Sequence, residues 1–145
     1  MLGRAQKGYL ATKRATDGHP YASLVLVAMD RAGRPVFLIS RLALHTQNLL
    51  ADAKASLLID ETDAAGDPVA GGRVTFVGAI HATDSPEARA RFLAKHPGAQ
   101  TYASFADFGV YAMTVESAHL IEGFGRIVDI SRADLGAACA GMSQL

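Results

Sequence analysis

The densest run of side chains able to do chemistry is Ser40-Arg41-Leu42-Ala43-Leu44-His45-Thr46-Gln47-Asn48. It falls where the apolar Val36-Phe37-Leu38-Ile39 gives way to helical spacing, and a helix start offers free backbone N–H groups and the positive end of the helix dipole to an anion. A guanidinium can grip a phosphate with two parallel bonds, and each hydroxyl can donate one more. Ser40, Arg41, His45 and Thr46 therefore read as a phosphate cradle. The competing reading makes Ser40 a helix cap and leaves Arg41, His45 and Asn48 in solvent. The residues alone leave both open.

Other reactive types are scattered. His19, His45, His81, His96 and His119 are spaced so widely that no two share a helical turn or a short loop, so the spacing indicates no zinc site. No Gly-x-Ser-x-Gly elbow occurs, and Cys139, the single cysteine, sits in a run of small residues away from any histidine. Gly123-Phe124-Gly125 lacks the further glycine and the helix of a dinucleotide loop and reads as a bend between strands. Arg126 beyond it is a surface charge or an anion contact. Asp107 and Glu116 lie in or beside strands without a visible partner, so neither stands out as a general acid or base.

The elements that must position these groups are mostly strands. Residues 8–14 and 21–28 flank Asp17-Gly18, which supplies the positive torsion of a tight turn. The second of these strands is almost continuously apolar over Ser23 to Ala28, which predicts cover on both faces and a central place in the sheet. Val36 to Ile39 forms a third strand. Leu42, Leu49, Leu50 and Ala53 then predict one helix over 41–53, with Ser40 as its cap, and Ala55 to Ile59 a further strand. Glu61 to Gly72 reads as a loop, and Arg73 to Ala82 alternates cleanly, with a possible bend at Gly78. Ser85-Pro86-Glu87 opens the clearest helix, which stops at His96-Pro97-Gly98. Strands over 109–116, 119–121 and 127–130 follow, and 131–145 reads as a fraying tail.

Composition bounds the answer. A chain of 145 residues with 50% hydrophobic and 19% charged residues predicts one domain over 1–145 with a real core. A formal net charge of zero argues against nucleic acid as a partner, and the absence of a long apolar run argues against a membrane. A lone cysteine fits a reducing, cytoplasmic setting. Strand runs interrupted by two helices point to a mainly β (α+β) antiparallel barrel rather than a doubly wound sheet.

The blocks Gly8-Tyr9-Leu10-Ala11-Thr12, Asp17 to Val25, Phe37 to Leu49 and Gly123-Phe124-Gly125-Arg126 resemble the pyridoxamine 5′-phosphate oxidase-like FMN-binding split barrels, closest to the haem-utilisation branch. The resemblance implies a six-stranded antiparallel split β-barrel with two or three peripheral helices, forming a homodimer with FMN at the subunit interface. It also implies an oxidoreductase acting on a small-molecule substrate. The flavin phosphate would meet Ser40, Arg41, His45 and Thr46, the ring would lie on Ser23, Leu24 and Val25, and Arg126 would approach from the other subunit. Position 42 is Leu where oxidases proper usually carry Lys, which removes one phosphate-binding cation. Haem is the alternative cofactor, and a non-catalytic flavin-binding protein is a further alternative; haem-degrading relatives carry an additional C-terminal domain, whereas this sequence ends at Leu145.

Overall fold

The computed structural model describes residues 2–61, 66–123 and 125–131. Part of the expected loop over 61–72, Phe124 and the tail with Cys139 lie outside the described residues. A single antiparallel sheet carries the fold, built from β1 (Lys7–Lys13), β2 (Pro20–Leu26), β3 (Ala28–Met29), β4 (Pro35–Ser40), β5 (Lys54–Asp60), β6 (Arg73–Ala82), β7 (Phe108–Glu122) and β8 (Arg126–Ser131). The helices are α1 (Leu44–Ala51) and α2 (Pro86–Lys95), with short 3-10 turns at Leu2–Arg4 and Pro97–Thr101.

The strands run β2-β1-β5-β6-β7-β4-β3, and β8 adds to β7. Among the described residues the expected antiparallel split barrel thus has eight segments rather than six. β3 is a two-residue continuation of β2 beyond Val27 that changes partner: β2 pairs with β1, whereas β3 pairs with β4. The sheet therefore curls until its two ends meet through one bent stretch of chain, and it splits where β2 diverges from β4. Val27 stands at the apex, fully buried, its N–H donating to Gln6 O and its carbonyl held 2.8 Å from His96 Nε2.

The interior follows from alternation. Val74, Phe76, Gly78 and Ile80 of β6 are buried, as their period predicts, and meet Leu10, Phe37, Leu57 and Met113 inside the curl. Between Val77 and Gly78 the β6–β7 register shifts. Only glycine fits there, because a Cβ on Gly78 would stand 2.0 Å from Thr114 O. β7 runs through as one strand where two were expected, since the bulge absorbs the break in pattern. A second cluster lies under α2, where Ala88 and Phe92 pack on Val36, Leu38 and Val110. Ser85 caps α2 by accepting from Ala88 N at 3.1 Å, worth about 1 kcal/mol, with Pro86 in the first turn.

Two expectations are corrected. The strand covered on both faces is β4, not β2, because α2 lies on one side of β4 and the interior on the other. β2 is an edge strand whose Leu24 and Leu26 are 61% and 43% exposed. The helix expected over 41–53 begins at Leu44 with Ala43 as an unassisted cap, and Leu42, outside it, is 81% exposed. Ser40 is not its cap.

Candidate functional site

The split between β2 and β4 holds a cleft of ≈ 270 Å³. Leu24, Val25 and Leu26 form one wall and Leu38, Ile39 and Ser40 the other; Tyr102 and Phe108 close the end next to α2's cluster, and Ala43 and His45 reach in from the start of α1. The Tyr102 and Phe108 rings touch at 4.7 Å between centroids, which stiffens that side. The walls are apolar and the polar groups collect at one end. That distribution suits a flat conjugated ring carrying a polar edge.

Among the described residues one side-chain hydrogen bond joins α1 to β2 at the cleft: His45 Nδ1 lies 3.2 Å from Ser23 Oγ. Burial pushes the His45 imidazole below its ordinary value, which favours the neutral ring. Its Nε2 and the Thr46 hydroxyl are both buried and find no partner among the described residues. α1 is fastened to the same hairpin a second time by Asn48, fully buried, which accepts from Ala15 N at 3.0 Å and donates to Thr12 Oγ1 at 3.1 Å.

The segment from Ser40 to Ala43 is a tight turn stitched to the loop before β7. Ser40 Oγ donates to Asp107 Oδ2 at 2.6 Å and accepts from Leu42 N at 3.0 Å; Arg41 N donates to Asp107 O at 2.7 Å. Asp107, for which the sequence showed no partner, is thus half-buried and engaged. The two residues are too far apart in sequence for spacing to pair them. Arg41 is exposed and turns away from the cleft, donating to Ala106 O at 3.1 Å and lining a separate cavity of ≈ 460 Å³ beside Arg89 and Asp107.

Of the residues singled out from sequence, Leu24, Val25, Ser40 and His45 line one cleft, with Ser23 bonded to His45. Thr46 is buried behind it and Arg41 faces the neighbouring cavity. Arg126 sits on β8 opposite Glu122, at the far end of β7 from Phe108, so it does not reach the cleft. Leu26, Leu38, Tyr102 and Phe108 were not foreseen; only their exposure or juxtaposition in the fold marks them. Among the described residues no three His, Cys, Asp or Glu side chains stand close enough to hold a metal ion, and no helix is long and apolar enough to cross a membrane.

Comparison with known proteins places this cleft in context. The family profile CREG, beta-barrel matches residues 2–135. The non-canonical heme oxygenase HOZ, chloroplastic, of Arabidopsis thaliana is 39% identical over 107 residues, 70% of this chain and 32% of that protein. A heme binding protein from Mycobacterium smegmatis superposes with a TM-score of 0.83 at 33% identity, covering 92% of this chain and 55% of that one. HutZ from Vibrio cholerae shares the fold with a TM-score of 0.66 at 20% identity, over 86% of each chain. The chain thus spans about a third of the plant relative's length and about half of the mycobacterial one.

Proposed function

Because the chain belongs to the CREG, beta-barrel family, with the split-barrel fold of the pyridoxamine 5′-phosphate oxidase-like proteins, we propose that it binds haem in the cleft between β2 and β4. The observation that carries this reading is the wedge itself: apolar walls from Leu24, Leu26, Leu38 and Phe108, with Ser40 and His45 at one end. The relatives named for heme, at 39% and 33% identity, support the choice of ring. Haem, when bound, supplies iron redox chemistry and, with a reductant and oxygen, its own oxidative degradation is the activity to test. The chain's part is to exclude water from the faces of the ring and to hold it against β2, whose position His45 fixes through Ser23. Titration of haem into the full chain is expected to give a saturable Soret shift, weakened at least tenfold by Leu26→Asp. No shift at stoichiometric haem sinks the reading.

A second reading, FMN with a redox step on a small molecule, is favoured by the buried unpartnered Thr46 hydroxyl beside the β4–α1 turn. The visible spectrum of the purified protein separates the two. In either case the protein acts as a homodimer in the cytoplasm. Leu24 and Leu26 on the free edge of β2 and Leu42, Leu44 and Leu50 around α1 are exposed and offer apolar surface for a second copy to cover. We infer that a second copy covers it, and Arg126 of that copy is the contact this arrangement would bring to the cleft.

A further inference from the structure

We propose that Asp107 selects against phosphate at the β4–α1 turn, so that any ring bound in the cleft is held without an anionic tail in this turn. The inference deepens the cleft reading and rests on it. A phosphate seated beside Ser40 needs donors, and those nearest Ser40 are already committed. Ser40 has one hydroxyl proton, and it goes to Asp107 Oδ2 at 2.6 Å. The backbone N–H groups of Arg41, Leu42, Ala43, Thr46 and Gln47 donate, in order, to Asp107 O, Ser40 Oγ, Ser40 O, Ala43 O and Ala43 O, which leaves the N–H groups of Leu44 and His45 and the Thr46 hydroxyl, one turn further from Ser40, as the uncommitted donors. The Arg41 guanidinium donates to Ala106 O and lines the neighbouring cavity rather than the cleft. Position 42 is an exposed leucine rather than a cation. An anion approaching Ser40 would meet the Asp107 carboxylate one hydrogen bond further in, and like charges at that separation repel.

The test compares FMN with riboflavin, which carries the same ring without the phosphate, and adds inorganic phosphate as a bare probe. Wild-type protein is expected to bind FMN no more tightly than riboflavin, and inorganic phosphate is expected to leave the amide signals of residues 42–46 unmoved in an NMR titration. Asp107→Asn, of equal size and lacking the charge, should gain at least tenfold for FMN with riboflavin unchanged, and phosphate should now move those amides. Asp107→Ser repeats the test should the first variant fold poorly. Glu116→Gln, the same charge change at an exposed position on β7, should do neither. The proposal is overturned if wild type prefers FMN tenfold or more, if Glu116→Gln matches Asp107→Asn, or if Asp107→Asn responds to neither FMN nor phosphate. A haem titration of the same proteins reports on the cleft alone, so loss of the haem reading and loss of this one are told apart.

Discussion

Removing the Asn48 side chain tests whether α1 holds the cleft wall in place. Asn48 is fully buried, and both of its partners, Ala15 N and Thr12 Oγ1, belong to the hairpin whose second arm is β2. Asn48→Ala deletes two hydrogen bonds at about 1 kcal/mol net each. Leaving the buried Thr12 hydroxyl short of a partner, with a small void beside it, adds about 1 kcal/mol. The expected loss is about 3 kcal/mol, which lowers the Tm by roughly 6 to 12 °C in a domain of this size. Calorimetry measures that change, and amide exchange at Ala15 should accelerate while exchange at Phe92, on the other side of the sheet, follows only the global loss. A Tm within about 2 °C of wild type, or an unchanged Ala15 amide, would refute the clamp.

Three further outcomes follow from the same geometry. Burial disfavours the charged form of His45, so the unfolded chain binds that proton more readily than the folded one, and stability falls as the pH drops below the ordinary 6.5. Urea titrations from about pH 7.5 to 5.5 should show this slope in wild type and a flatter one in His45→Gln; equal slopes contradict it. Gly78→Ala, which drives a Cβ into Thr114 O, should cost about 2 to 3 kcal/mol and shift the urea midpoint accordingly, and an unshifted midpoint means the bulge relaxes freely. Leu42→Glu should convert dimer to monomer by light scattering without lowering helix or strand content, since Leu42 packs on nothing within the protomer. A wild-type protein that is monomeric at micromolar concentration contradicts the proposed interface.

What the sequence revealed depended on whether its signal was local. Ser85-Pro86-Glu87 places α2 because cap, ring constraint and dipole act within one turn. The alternation of Arg73 to Ala82 fixes which face of β6 is buried, and a glycine inside it marks the bulge. Leu24, Val25, Ser40 and His45 could be named together from the order of their blocks, yet nothing local paired Ser23 with His45 or Ser40 with Asp107, because those bonds join separate elements. The apolar run of β2 misled for a physical reason. Hydrophobicity records that a surface must be covered and not which molecule covers it, so a free edge reads like a central strand. The start of α1 was displaced because Ser40 to Ala43 closes a turn of its own before the helical torsions begin.

The pinned apex at Val27 has a consequence for discrimination among guests. Two arms joined at one end and paired with different strands beyond it behave as a feeler gauge: a guest slides inward until its thickness equals the local gap. Selection then acts on how thin a molecule is rather than on its outline. Trimming or enlarging side chains near that pin would reset how deep a planar guest sits, and with it which of its rim atoms remain in water, without altering a single polar contact.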